Sequence, residues 1–214
     1  MVKITREVLV ILVVFPLFLF AGELSVQGGV NHSWLYYPDE FMRQLMKNEF
    51  NPDVSFGLNA VVFSKKGFSG NCGIRFFSVG RFEQSQSEVK IKHVYLSLPI
   101  QPQYEIFSKL RLYINLEPAL QIKSWYRYKE ESFSINEKRI ITDEMNRLNL
   151  FAGVGLKYMF RIGRRELGIG SQLNYGLFRI SKDEKYDVTP EGYREWADWR
   201  AREVLVILEY VFHL

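Results

Sequence analysis

Eight stretches of this sequence alternate apolar and polar side chains with a period of two, a pattern that a helical fold cannot use. They are residues 24–34, 54–62, 68–82, 89–98, 109–125, 148–160, 167–177 and 204–214. In 109–125, Leu110, Leu112, Ile114, Leu116, Leu120 and Ile122 share one face. Arg111, Asn115, Glu117, Gln121 and Lys123 share the other. This is one long strand with an oily side and a wet side. Helical signal is confined to two connections, PDEFMRQLMKNEF from Pro38 and TPEGYREWADWR from Thr189, each expected to form a short surface helix or none.

Alternation alone leaves open which face is inside. A soluble, lipocalin-like periplasmic binding barrel hides its apolar row, whereas a membrane barrel shows it to lipid. Connection lengths bear on the choice. SKKG, IQPQYEIFS and RIGRRE are short, while residues 35–53, 126–147 and 180–202 are long, with EQSQS the short exception at that end. Long and short connections therefore alternate, as extracellular loops and periplasmic turns do. Trp34, Trp125, Trp196 and Trp199 fall at the long-loop ends beside Tyr36, Tyr37, Tyr126 and Tyr128. Phe63, Phe68, Tyr104, Phe107, Tyr158, Phe160, Tyr210 and Phe212 fall toward the turn ends. Two aromatic girdles are what two membrane interfaces require, and Trp34, Trp125, Tyr126, Tyr158, Phe160, Tyr210 and Phe212 are expected in them. The expected fold is all-β: an eight-stranded antiparallel up-and-down transmembrane β-barrel with short periplasmic turns and longer extracellular loops.

The N-terminal region fits export. Lys3 and Arg6 precede an apolar run from Val8 to Phe20, and Ala21-Gly22 supply small residues, so 1–22 reads as a cleaved secretory signal peptide and 23–214 as the barrel domain. The expected location is the outer membrane of a Gram-negative-type bacterium. Hydrophobic residues make up 47% and aromatics 15%, which excludes a disordered chain. A net charge of only +4 makes nucleic acid a poor partner. Cys72 is the single cysteine, so no internal disulfide can form, and it reads as a small apolar strand residue.

Two segments carry a resemblance. HVYLSLPIQPQYEIFSKLRLYINLEPAL, from His93, resembles the Tyr-Leu-x-x-Pro strand, turn and long alternating strand of the PorT-like small outer-membrane β-barrel family (outer membrane protein beta-barrel domain). LFAGVGLKYMFRIGRRELGIGSQLNYGLFRI, residues 150–180, is similar to that family's penultimate hairpin. The resemblance implies an accessory role in protein secretion or envelope maintenance. The last strand, VLVILEYVFHL, puts Val206, Leu208, Tyr210 and Phe212 in an outward row. It ends in Leu214, where strands handled by the barrel-insertion machinery usually end in Phe. Its inward Leu205, Ile207 and Val211 are oilier than a water-filled lumen favours.

An eight-stranded barrel has an interior just filled by side chains. The inward positions read from the alternation include Asn59, Arg75, Lys90, Lys92, Arg111, Asn115, Glu117, Lys157, Gln172, Asn174 and Glu209. Buried charge must be paired, so Arg75, Arg111, Lys157, Glu117 and Glu209 are expected to form a structural ion network, with the two glutamates as its anions. His32, His93 and His213 are scattered without metal-ligand spacing, and KSWYRYK from Lys123 suits a lipid-headgroup rim. No catalytic, cofactor or metal site is expected. The function read from these features is a non-enzymatic scaffold or interaction module. Its expected partners are outer-membrane lipid, the barrel-insertion machinery and an extracellular or periplasmic protein. The alternatives are a membrane-embedded hydrolase or acyltransferase and the soluble binding barrel.

Overall fold

The computed structural model describes residues 22–36, 50, 52–84, 88–107, 109–130, 135–163, 165–180, 185–187, 194–196 and 200–213. Their strands are β1 (Glu23–Tyr36), β2 (Pro52–Lys65), β3 (Phe68–Gln84), β4 (Glu88–Ser97), β5 (Ile100–Ile106), β6 (Leu110–Glu130), β7 (Ile135–Ile140), β8 (Leu148–Ile162), β9 (Arg165–Gly176), β10 (Lys185–Asp187), β11 (Arg194–Trp196) and β12 (Arg200–His213). Antiparallel pairing runs β2-β1-β12-β9-β8-β6-β4-β3, and β2 with β3 closes the ring into an eight-stave barrel. Residues 1–21 of the expected signal segment and the 38–49 connection lie outside the described residues, as do Tyr37 and Trp199. In the other connection, where a short surface helix or none is expected, residues 194–196 form β11, paired with β10.

Connectivity departs from the sequence reading at IQPQYEIFS. That segment is not a turn: β5 continues the stave begun by β4, pairing with β3 from Cys72↔Ile100 to Phe68↔Tyr104 and with β6 through Tyr104↔Leu112. Pro99 breaks the ladder without ending the stave. Its carbonyl accepts Gly73 N–H at 3.1 Å, and Leu98 N–H reaches the Pro118 carbonyl at 2.9 Å. The real turn follows at Phe107, held at φ 56°. The β2–β3 turn puts Lys66 at φ 49° and Gly67 at φ 79°, the paired left-handed conformation of a tight hairpin.

Two irregularities decide which side chains point inward. Between β4 and β6 the register steps from Val94↔Lys123 to Tyr95↔Gln121, leaving Ile122 as a bulge that reverses parity beyond it. Lys123 is therefore exposed, and Ser124 and Tyr126 are buried inside. Tyr126 is not a membrane-interface aromatic, contrary to the sequence expectation. On β4, Ile91, His93, Tyr95 and Ser97 form the buried row, so Lys90 and Lys92 stand on the other face. Second, the β2–β3 ladder ends at Phe56↔Phe76 although β3 runs on to Gln84. Side chains take over above that point. Asn31 Nδ2 donates to the Ser78 carbonyl at 2.7 Å, and Ser33 Oγ accepts Gly80 N–H at 3.0 Å. Asp53 accepts from the Ser78 hydroxyl and pairs with the Lys92 ammonium.

Outward rows are apolar: Val26 and Val30 on β1, Phe56 and Leu58 on β2, Leu112 and Ile114 on β6, Val154 and Leu156 on β8, and Val206 and Leu208 on β12 are all exposed. Inward rows are largely polar and buried. This is the reverse of a soluble binding barrel and matches a bilayer-spanning one.

Candidate functional site

The lumen is the one place where chemistry-bearing side chains converge among the described residues, and it has two layers. Arg75 on β3 occupies the middle. Its Nη1 donates to Glu117 at 3.0 Å, its Nη2 donates to Glu203, and the guanidinium lies 4.0 Å from the Phe77 ring centre. Glu117 also accepts from Asn115 at 2.8 Å and from Ser97 at 2.5 Å. Asn174 donates to Glu203 at 2.8 Å and accepts from Asn115 and Gln172. Gln172 accepts in turn from the Tyr113 hydroxyl at 3.0 Å. Tyr113 crosses the barrel over Gly155, where any Cβ would collide with the ring. The ring also receives the Lys157 ammonium, 5.0 Å from its centre. Lys157 donates to Glu209 at 2.6 Å, and the Ser25 hydroxyl donates to the other Glu209 oxygen at 2.6 Å.

Of the residues expected in an ion network, Arg75 meets Glu117 and Lys157 meets Glu209. Arg111 lies apart, one residue into β6. It is partly exposed and pairs with Glu166 at 3.0 Å and Glu105 at 3.8 Å. Glu203 was missed. It is fully buried and falls on the same parity as Glu209, but it stands one residue before the alternating run 204–214. Three carboxylates, Glu117, Glu203 and Glu209, thus face two cations, Arg75 and Lys157. The amide and hydroxyl donors supply what a third cation would. Leu205 and Ile207, oily for a lumen, pack on Tyr113.

Above this layer the lumen turns apolar. Leu35, Phe77, Val79, Ile91, Tyr95, Ala119, Tyr126, Phe151 and Ala201 form one buried cluster. Phe77, Tyr95 and Phe151 meet with ring centres 5.3–5.6 Å apart. Ile141 and Met145 from the β7–β8 connection and Ile180 after β9 complete it. Asn146 N–H to the Ile180 carbonyl, 2.7 Å, and Ile141 N–H to the Ser124 carbonyl, 3.0 Å, hold these connections in the mouth. Periodicity gives no sign of this plug, because six of its members, Leu35, Tyr126, Ile141, Met145, Ile180 and Ala201, stand outside any alternating run.

Within the plug, His93 Nδ1 lies 2.8 Å from Ser124 Oγ, a juxtaposition that scattered histidines did not suggest. Both side chains have zero exposure, and the second neighbour of the imidazole is the Gln121 amide rather than a carboxylate. The pair lacks both the access and the orienting acid that a nucleophilic serine needs.

The expected interface aromatics, Tyr126 excepted, sit on outward rows. Trp34 stacks on His32 at 5.6 Å, and the Lys138 ammonium lies 5.6 Å from the Trp125 ring centre, both toward the long-connection end. At the other end Tyr158 pairs with Phe160 at 4.8 Å and Tyr210 with Phe212 at 4.6 Å.

Residues 23–182 match the family model described as outer membrane protein beta-barrel domain. No curated protein sequence matches the chain. Among solved structures, the chain is similar to Ail, the attachment invasion locus protein of Yersinia pestis. Sequence identity is 14%, 90% of this chain and 100% of that chain are covered, and the TM-score is 0.52. Neisserial surface protein A is also similar, at 10% identity, 90% and 99% coverage and a TM-score of 0.46. At such identities the likeness to Ail is one of fold.

Proposed function

We propose, from the premise that this chain belongs to the outer membrane protein beta-barrel domain family, that it is a non-enzymatic scaffold whose long-connection end meets a protein partner. The barrel lies in the outer membrane. The carrying observation is a lumen occupied at its middle and at its mouth. Glu117, Glu203 and Glu209 are consumed by internal partners, and the apolar cluster stops the mouth. An interior so occupied supports neither transport nor chemistry on a solute, which leaves the outer surfaces to act. The PorT-like resemblance supports a finer reading, an accessory role in protein secretion or envelope maintenance. Export through a cleaved 1–22 signal and assembly by the barrel-insertion machinery belong to the same proposal.

Photo-crosslinkers placed at Lys138 and Ile140 on the exposed β7 test it in intact cells, where a discrete protein adduct is expected. Planar-bilayer recording supplies the second arm. Absence of any adduct, or stable conductance of general-porin size from the purified monomer, overturns the reading. The His93–Ser124 pair favours a hydrolase reading only if it opens. Labelling of Ser124 by a fluorophosphonate in native membranes would establish that instead.

A further inference from the structure

We infer that the short-turn rim is a binding surface for anionic phospholipid headgroups of the periplasmic leaflet. The three turns at that end contain Lys65 and Lys66, Lys109, and Arg161, Arg164 and Arg165. Lys65, Lys66, Lys109, Arg161 and Arg165 are all exposed. The nearby acids Glu105 and Glu166 are turned toward Arg111. Arg161, four-fifths exposed, keeps only a 3.9 Å contact with Glu166. Glu23, half-buried at the start of β1, is the remaining described acid at this rim, so the exposed charge here is predominantly basic. The opposite end mixes signs: Glu137 and Lys138 adjoin on β7, and Arg147 pairs with Asp143 at 3.0 Å.

A basic patch on a soluble surface would fit any acidic partner. What singles out lipid is continuity with the aromatic collar. Phe63 and Phe68, Tyr158 and Phe160, and Tyr210 and Phe212 pair just above the turns with ring centres 4.6–5.4 Å apart. The Arg165 guanidinium lies 5.7 Å from the Tyr210 ring centre, so the cation begins where the collar ends. Phe107, at the tip of its turn, is 85% exposed in the left-handed conformation. An aromatic presented there beside Lys109 suits the layer where acyl chains meet headgroups. Aromatic rings fix the depth, and long basic side chains reach past them to phosphate.

The full-length barrel, reconstituted in phosphatidylcholine vesicles, is probed with spin-labelled phosphatidylglycerol or spin-labelled phosphatidylcholine, and the motionally restricted fraction of each is measured. At low salt the parent should prefer the anionic probe roughly fivefold, the equivalent of the ~1 kcal/mol that a basic side chain contributes near an anionic surface. High salt should erode that preference. In K65Q/K66Q/K109Q/R161Q/R165Q it should fall to near parity, while K65R/K66R/K109R and the opposite-end control K123Q/K138Q should keep it. A heat-shifted gel band certifies each variant as folded. Should the neutralised variant not fold, the salt series on the parent decides. No preference in the parent, a salt-insensitive preference, or an equal preference in the neutralised variant overturns the inference and leaves the charges to an acidic protein.

Discussion

The two layers of the lumen share the same staves and, except past the Ile122 bulge on β6, the same parity, yet the middle is held by charge and the mouth by apolar packing. Around Arg75 the hydrogen-bond partners are carboxylates and their geometry is specific, with Phe77 stacked beneath the guanidinium where the two layers meet. Around Phe151 the contacts are rings and aliphatic chains, some drawn from connections rather than staves. The difference has a physical origin. Eight staves enclose a bore that their own side chains fill, and inward polar groups there can satisfy one another across it. At the mouth the connections bring backbone and apolar side chains to the same space, and a core of the soluble kind becomes possible. The barrel is thus stopped twice, by layers that should respond differently to mutation.

The largest effect belongs to the charged layer. Arg75→Met leaves Glu117 and Glu203 buried without their shared cation, and should cost about 3–5 kcal/mol of unfolding free energy. The triple variant R75M/E117Q/E203Q should recover most of that loss, because neutral amides can join the Asn115 and Asn174 hydrogen bonds. Urea unfolding from lipid vesicles measures both. If the single variant is as stable as the parent, the layer is not an ion network.

The apolar layer should behave as an ordinary core. Phe151→Ala removes the ring that meets both Phe77 and Tyr95, and should cost ~3–4 kcal/mol by lost transfer energy and the cavity left behind. No second substitution in the charged layer should rescue it, since none refills the space left by the ring. Rescue by E117Q in a double-mutant cycle would mean that they form one unit.

How far the sequence reaches follows the same division. Period-two alternation placed the eight staves, the outward rows and the Arg75, Glu117, Lys157 and Glu209 positions, because inside and outside differ sharply in polarity. It failed where backbone geometry intervened. IQPQYEIFS, with Pro102, reads as a turn, although an interrupted stave tolerates both that proline and Pro99. The Ile122 bulge reversed Tyr126, and no residue type announces a bulge. Lys90 and Lys92 read as inward because the polar row faces the lumen on the other staves, whereas on β4 the row of Ile91 and Tyr95 faces the apolar plug. The plug was illegible, because Ile141, Met145 and Ile180 acquire their role from where the connections fold.

Outside the barrel, depth replaces partnership as the deciding variable. Ile114→Arg, on the outward row of β6, should cost about 2–4 kcal/mol, whereas Leu148→Arg at the long-connection end of β8 should cost about 0–1. The same unfolding assay reads both. A flat cost along the outward rows would contradict a bilayer-spanning barrel, and with it the contrast between a lumen ruled by pairing and a surface ruled by depth.

The smallest effects come from adjacent residues on β12 that face opposite ways. Phe212 is outward and pairs with Tyr210, so Phe212→Asp loses an aromatic contact worth about 0.5–1.5 kcal/mol and puts a charge at the interface costing about 0–1 more. Val211 is buried on the inward row, two residues beyond Glu209 and across from Ser25 on β1. Val211→Thr places a hydroxyl in the polar end of the lumen, where donors and acceptors are within reach, and should cost less than about 1 kcal/mol. The ratio is more telling than either value, because a one-residue register slip in β12 would exchange the two faces and reverse it. If Val211→Thr proves the more damaging in a heat-modifiability and unfolding series, the β1–β12 register that closes the barrel is wrong.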